Sequence, residues 1–241
     1  MTNREDVAAG VRVQPAMADR EDLAENDRSR SAREWPGPGL LAEDERLDTG
    51  KDSPMNTALL VIDVQQSFTQ RDYFTRQDVP AFLAAQNALV EACAARGVPI
   101  VRIFHSDGEP VASNPWAKES GLVRPLDGLV DFEAAASFTK SRHSALVGSG
   151  LDVWLTQNGI RRLIVSGIRT EQCCETTTRH ASDLGFEVDY VPEATLTFDM
   201  RNEDGSTLTA AAIKQRTVTV LKDRFAAICA VPEALARLAA A

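Results

Sequence analysis

The chain has 241 residues and a formal net charge of −9, with 44% hydrophobic and 25% charged residues. This mix is that of a globular protein of one domain or at most two, without a membrane-spanning segment. The negative charge argues against nucleic acid as a partner. Four cysteines are too few for a disulfide framework, and the first residues lack the apolar stretch of a secretory signal, so a reducing, cytoplasmic location is expected.

Residues 1–54 differ in composition from the rest of the chain. They are rich in Arg, Asp, Glu, Ala, Pro and Gly, as in RSRSAREWPGPG, and their apolar residues follow no strand or helix period. Such a segment buries too little apolar surface to offset the entropy lost on ordering. We therefore predict a disordered extension over residues 1–54 and one folded domain over residues 55–241.

Strand and helix signals alternate through the predicted domain. Short apolar runs predict strands over Ala58–Val64, Val98–Phe104, Ala135–Thr139, Arg162–Ser166, Phe186–Val191 and Phe225–Cys229. Helical spacing predicts helices over Pro80–Arg96, Leu151–Gln157, Gln172–Leu184, Leu208–Leu221 and Pro232–Ala240. This alternation is typical of right-handed crossovers, so the predicted fold class is α/β, a three-layer α/β/α sandwich with a mostly parallel six-stranded sheet.

Three residues that follow predicted strands are candidates for chemistry, because ligands of such sheets bind beyond the carboxyl ends of the strands. Asp63 comes after four apolar residues, where burial would suit a carboxylate to proton transfer. Lys140 follows the third strand and could pair with Asp63. Taken singly, Asp63 also fits a turn residue, and Lys140 fits an ordinary surface lysine.

Cys173 lies at the predicted start of a helix, after the turn that follows the fourth strand. A helix N-terminus favours thiolate and offers backbone N–H groups to an oxyanion, so a lowered pKa is expected for this thiol. A small buried core cysteine is the alternative. Cys174 points about 100° away on a helix and is predicted to pack in the core, like Cys93 and Cys229.

The segments ALLVIDVQQSF (58–68), SFTK (137–140) and GIRTEQCCETTT (167–178) resemble, in order and spacing, three signature stretches of the isochorismatase-like cysteine hydrolases. The resemblance covers about residues 55–231 and implies a Rossmann-like fold. It also implies a catalytic triad of Asp63, Lys140 and Cys173, and a cis peptide between Ile168 and Arg169. Backbone N–H groups near Arg169, Thr170 and Cys173 would then form the oxyanion hole.

The implied activity is that of a hydrolase acting on carbon–nitrogen bonds other than peptide bonds. Cys173 would attack the carbonyl of a small amide, carbamoyl or lactam compound, and Asp63 would shuttle protons to the leaving amine and from the water that opens the thioester. No cofactor is expected. The resemblance also implies a homo-oligomer, either a dimer or a tetramer. Cleavage of a vinyl ether is not expected, because the branch of the family with that activity lacks the cysteine.

Metal binding is not expected either. Nicotinamidases of the family carry an Asp-x-His pair and a further His as metal ligands, whereas this chain has His105-Ser-Asp107, with the residue types reversed. His143 and His180 are interpreted as surface or helix-face residues. Two ligands alone would leave most coordination positions to water.

Four residues are candidates for the wall of the substrate pocket. They are Phe68 and Phe198, which follow strand ends, His105, and Trp116 in the long connector after the second strand. His105 also fits a loop residue, and Trp116 fits a residue that packs this connector against the domain. Arg169, beside the predicted oxyanion loop, is a candidate for recognition of an anionic substrate group or, alternatively, a solvent-facing arginine.

Two other functions stay open on the sequence alone. The domain fits a non-hydrolytic ligand-binding or interaction module that keeps the fold. It also fits a thiol redox protein that uses Cys173 and Cys174, although adjacent cysteines form a strained ring when oxidised.

Overall fold

The computed structural model describes residues 56–239, so the predicted disordered extension lies outside the described part of the chain. One sheet contains six strands: β1 (Thr57–Ile62), β2 (Ile100–His105), β3 (Ala136–Lys140), β4 (Arg162–Ile168), β5 (Glu187–Leu196) and β6 (Ala227–Ile228). The strand order is β3-β2-β1-β4-β5-β6, and every neighbouring pair is parallel. The predicted parallel, Rossmann-like sheet is confirmed.

Helices cover both faces of the sheet: α1 (Val79–Ala95), α2 (Leu151–Gln157), α3 (Glu175–Asp183), α4 (Ala210–Leu221) and α5 (Val231–Ala239). Successive side chains of β1 enter two separate apolar clusters. Leu59 shares one cluster with residues of α1 and α5, whereas Leu60 shares the other with residues of α2 and α3. A strand covered on both faces must be apolar throughout, which explains the continuous run in the sequence and confirms the three-layer arrangement.

The observed boundaries differ from the predicted ones mainly beside the strand ends. β1 stops at Ile62 because Asp63 turns into the left-handed region, with φ of 52°. The predicted helix at Gln172 begins instead as a π-helical turn over Thr170–Cys174, and α3 continues from Glu175. A two-stranded hairpin of Met200–Arg201 with Thr207–Leu208 was not predicted, because its strands are too short to show a period.

The topology leaves a crevice at the carboxyl end of β1. The chain adds β2 and β3 on one side of β1, then crosses to add β4, β5 and β6 on the other. Loops that leave β1 and β4 therefore diverge from neighbouring positions, which is where ligands bind in open α/β sheets. Among the helices of residues 56–239, none is long and apolar enough to cross a membrane.

Candidate active site

Asp63, Lys140 and Cys173 meet at this crevice. The Lys140 Nζ lies 2.7 Å from Asp63 Oδ2 and 3.3 Å from Cys173 Sγ. β3 stands two strands from β1, about 10 Å away, a gap that a lysine and an aspartate side chain together bridge. The Asp63 and Lys140 side chains are 0% exposed and Cys173 is 6% exposed. The structure therefore brings together the three residues singled out in the sequence.

The backbone around Asp63 aims its carboxylate into the crevice. The Asp63 N–H donates to the Ile103 carbonyl over 2.8 Å, and the Gln65 N–H donates to the Asp63 carbonyl over 2.8 Å. Both bonds hold Asp63 at its positive φ, a conformation that Asp tolerates better than most residues. The Asp63 side chain thus leaves the line of the sheet and reaches Lys140.

The peptide between Ile168 and Arg169 is cis, at the bond that the resemblance implies. The segment after it is tied to β5 at Thr170. The Thr170 Oγ1 donates to Thr195 Oγ1 over 2.8 Å, and Tyr190 Oη donates to the Thr170 carbonyl over 3.0 Å. The backbone that carries Cys173 therefore has a defined position beside β5 rather than that of a free loop.

The expected lowering of the Cys173 pKa is wrong. Burial raises the pKa of this thiol to about 12, and the negative charge of Asp63 adds to that effect, whereas Lys140 acts in the opposite direction. Desolvation disfavours thiolate more strongly than Lys140 favours it. A pKa this high predicts a protonated thiol at neutral pH, with the Asp63 carboxylate beside it.

Lys140 keeps its charge despite its burial. Desolvation lowers the pKa of an ammonium, but the ion pair with Asp63 and the contact with Cys173 outweigh it, so the pKa of Lys140 lies above its ordinary value. A permanent cation between the carboxylate and the sulfur stabilises negative charge on either atom. If a proton moves from Cys173 to Asp63, the negative charge moves from the carboxylate to the sulfur, and Lys140 contacts both atoms. The Lys140 ammonium therefore keeps an anionic partner in either state.

Replacing Asp63 by Asn is expected to make the Cys173 thiol more acidic while stopping proton transfer. The substitution removes a negative charge that raises the thiol pKa and leaves the opposing influence of Lys140 in place. Each unit of decrease gives about tenfold more thiolate at neutral pH. Alkylation of Cys173 by iodoacetamide, followed by peptide mass spectrometry, should become faster in Asp63→Asn, and slower alkylation would contradict this account.

A cavity of about 200 Å³ opens beside the sulfur. Its walls are aromatic or polar, and they are formed by Asp63, Phe68, Tyr73, His105, Asp107, Trp116, His143, Gln172 and Cys173. Three of the four predicted pocket residues lie here: Phe68, His105 and Trp116. The Trp116 ring meets the rings of Phe68 and His105 edge to face, with centroids 4.9 Å and 5.4 Å away.

Phe198, the fourth predicted pocket residue, does not line this cavity. Its ring packs against Tyr73 and Phe74, with centroids 5.4 Å and 5.3 Å away. Tyr73 forms the wall in its place. Tyr73 precedes α1 in an irregular segment, so no periodicity in the sequence singled it out.

Arg169 is neither solvent-facing nor a lining residue of the cavity. It is 6% exposed, and its Nη2 lies 2.9 Å from Glu171 Oε1. Its guanidinium also stands 4.8 Å from the centre of the Tyr73 ring. Because both contacts bind the guanidinium within the protein, the geometry does not favour the predicted recognition of an anionic substrate group.

Gln65 is a positioning residue that the sequence reading missed. Its buried side-chain amide accepts from the His105 N–H over 2.7 Å and donates to the His105 carbonyl over 3.0 Å and to Ser67 Oγ over 2.9 Å. The amide thereby extends strand pairing beyond the end of β1 and holds His105. In turn, His105 Nδ1 lies 3.1 Å from Lys140 Nζ.

His143 is exposed, as predicted, but it stands at the mouth of the cavity. Its Nδ1 lies 3.9 Å from Cys173 Sγ. Asp107, whose place the sequence left undecided, also lines the cavity. His180 lies elsewhere, on α3, with its Nδ1 2.9 Å from Ser144 Oγ.

The other three cysteines pack in the apolar core, as predicted. Cys174 is fully buried in the apolar cluster that contains Leu60, and Cys93 and Cys229 lie in the cluster on the opposite face. All four cysteines are free.

Over residues 56–239, no three His, Cys, Asp or Glu side chains are grouped to hold a metal ion.

Comparison with known proteins places this chain in a family. The model of the isochorismatase domain matches residues 57–224. The Bacillus subtilis isochorismatase family protein YrdC is 29% identical over 175 residues, which cover 71% of this chain and 90% of YrdC. Nicotinamidase 3 of Arabidopsis thaliana is 28% identical, with 64% of this chain and 81% of that protein covered.

Two further similarities extend this finding. The ureidoacrylate amidohydrolase RutB of Pseudomonas syringae is 28% identical, with 57% of this chain and 67% of that protein covered. Among solved structures, an isochorismatase family protein from Chromobacterium violaceum has a TM-score of 0.71 and 27% identity. The match covers 78% of this chain and 95% of the Chromobacterium violaceum protein.

Proposed function

The chain belongs to the isochorismatase family, and on that premise we propose that it is a cysteine hydrolase that cleaves a carbon–nitrogen bond of a small molecule. The substrate class is an amide, carbamoyl or lactam compound, and the intermediate is a thioester on Cys173. Similarity to a nicotinamidase and to an amidohydrolase supports the choice of carbon–nitrogen over carbon–oxygen cleavage.

One observation carries the proposal. A single ammonium, Lys140 Nζ, touches both the Asp63 carboxylate and the Cys173 sulfur beside a cavity. A nucleophile next to a base that is oriented by a third group is the general signature of covalent catalysis. Stability alone does not explain this buried ion pair, because removing each charge from water costs roughly several kcal/mol.

Acylation follows from these contacts. As Sγ attacks the substrate carbonyl, its proton passes to the Asp63 carboxylate, and Lys140 stabilises the charge that moves between them. Backbone N–H groups near Arg169, Thr170 and Cys173 would hold the tetrahedral oxyanion, and one oxyanion-hole donor is commonly worth about 3 kcal/mol. Asp63 then gives the proton to the leaving nitrogen, the carbon–nitrogen bond breaks, and the thioester remains until water hydrolyses it.

The cavity limits the substrate. At about 200 Å³ it is smaller than pockets for drug-sized ligands, so a small molecule is favoured. Phe68, Tyr73 and Trp116 suit a planar or apolar group. Neither Lys140 nor Arg169 is free to bind a substrate anion, because each is ion-paired within the protein.

The proposal extends to the setting of the enzyme. A free catalytic thiol must stay reduced, which fits a cytoplasmic protein with four unpaired cysteines. The proposed reaction runs on side chains and backbone N–H groups alone and uses no cofactor. Assembly into a homo-oligomer remains part of the proposal, and light scattering of the purified chain measures it.

Trapping of the thioester tests the proposed function. The chain is incubated with a library of small amides, quenched in acid, and digested with trypsin. We expect an acyl adduct on the peptide TEQCCETTTR, residues 170–179, located on Cys173 by fragmentation and absent from Cys173→Ala. Neither adduct nor turnover with any amide would favour a non-hydrolytic binding module, and a reducible Cys173–Cys174 disulfide would favour a redox protein.

A further inference from the structure

Within residues 56–239, His143 is the histidine whose ring nitrogen contacts the Cys173 sulfur. Its Nδ1 lies 3.9 Å from Cys173 Sγ, and its side chain is exposed at the cavity mouth. Within residues 56–239, no other hydrogen bond or ion pair involves this side chain. Its ring is therefore available to a molecule that enters the cavity.

The backbone that follows His143 is anchored, so the ring has a defined approach to the site. Ser144, Ala145 and Leu146 are buried, and the Ala145 N–H donates to Thr177 Oγ1 on α3 over 2.9 Å. Cys173 is carried by the turn that leads into the same helix. The segment that follows His143 and the turn that carries Cys173 are therefore both attached to α3.

Asp63 and His143 approach the sulfur from different depths. Asp63 is fully buried and bound to Lys140, whereas His143 faces solvent. His143 lines the cavity beside the sulfur and is open to solvent, so a water that attacks an acyl group on Cys173 from the cavity would lie near its ring. We propose that His143, rather than Asp63, is the general base that activates this water, an inference that rests on the proposed function.

In this step the proton returns from His143 to the sulfur across the 3.9 Å contact between Nδ1 and Sγ. The water oxygen attacks the thioester carbon while its proton moves to the His143 imidazole. The carbon–sulfur bond then breaks, its electron pair goes to Sγ, and the imidazolium returns the proton to the thiolate. The products are the carboxylic acid, the Cys173 thiol and neutral His143, with Asp63 and Lys140 unchanged.

His105 does not fit this role, although it also lines the cavity. Its Nδ1 lies 3.1 Å from Lys140 Nζ and accepts a hydrogen bond from that ammonium, which can only donate. The neutral ring then carries its own hydrogen on Nε2, which leaves no acceptor for a water proton. Burial and the charge of Lys140 also lower the pKa of His105, which makes it a weaker base.

The test uses p-nitrophenyl acetate, an activated ester that acylates thiols without requiring recognition of the natural substrate. The wild-type chain should release p-nitrophenolate steadily, and Cys173→Ala should remove this release. In His143→Ala we expect one equivalent to be released rapidly, followed by a steady rate lower by about 10²-fold. An acetyl adduct on Cys173 should accumulate in this variant.

Two readouts separate a base from a structural residue. Added imidazole should restore the steady rate of His143→Ala, and the normal solvent deuterium isotope effect on the wild-type steady rate should be lost in the variant. The control is Arg142→Gln, at the adjacent exposed residue, which should behave as wild type.

Unchanged steady turnover in His143→Ala, or slow turnover without an acetyl adduct or imidazole rescue, would overturn the role of His143 and leave the proposed function intact. Absence of any Cys173-dependent release in the wild-type chain would instead overturn the proposed function, and the inference with it.

Discussion

Cys173→Ala is expected to lower kcat for the amide substrate by at least about 10⁴-fold, whereas Cys174→Ala keeps most of the activity. The first substitution removes the sulfur that we propose as the nucleophile. The second removes a thiol that is 0% exposed, packed in the apolar cluster, and not among the residues that line the cavity. Steady-state kinetics on an amide identified by thioester trapping measures both variants.

The two adjacent cysteines make a matched pair for this experiment. Loss of the Cys174 sulfur leaves a small void in the core, which should cost about 1–2 kcal/mol of unfolding free energy without a comparable loss of kcat. Urea unfolding of both variants shows whether any loss of activity follows a loss of stability. Full activity in Cys173→Ala would reject the assigned nucleophile, and equal loss in Cys174→Ala would favour the redox alternative.

Gly167→Ala is expected to destabilise the domain by about 3 kcal/mol or more and to remove activity. Gly167 pairs with Ile62, the residue before Asp63, and a Cβ at position 167 would lie 2.0 Å from the Ile62 carbonyl oxygen. Its φ of 133° also disfavours any side chain. The clash involves backbone on both sides, so relief requires β1 and β4 to separate beside the candidate nucleophile and base.

Gly159→Ala is the matched control for this prediction. Gly159 also has a positive φ, 68°, but no atom lies within 4 Å of the Cβ that alanine would add. Only the backbone preference is lost there, at about 1 kcal/mol. Unfolding free energies from urea titration measure both variants, and equal losses would show that the close approach of β1 and β4 is not what requires glycine.

The sequence predicted the central strands of the sheet and the position of Asp63 for one shared reason. Strands buried on both faces appear as continuous apolar runs, and polar residues that follow such runs in a parallel sheet reach the same edge. Asp63 meets this condition directly. Lys140 ends a strand whose other residues are half-buried or exposed, and Cys173 lies in the turn that follows β4, so these two depended on the order and spacing of segments that resemble a known family.

Residues in irregular segments carry no such pattern, which is why Gln65, Tyr73 and the place of His143 were missed. Phe198 illustrates the opposite error. It follows a strand end, as a pocket residue would, but its ring packs against Tyr73 and Phe74, and nothing in the local sequence indicates the direction of that ring.

The architecture of this protein, and the functional groups at the carboxyl edge of its sheet, can be inferred from the chain alone, because burial periodicity and chain order are local properties. How those groups act on one another became evident in the folded molecule. It placed one ammonium between the carboxylate and the sulfur, raised the pKa of the Cys173 thiol where a helix terminus predicted a decrease, and committed Arg169 to Glu171. Charge interactions and desolvation depend on distances and burial in three dimensions, which residues far apart in the chain set together.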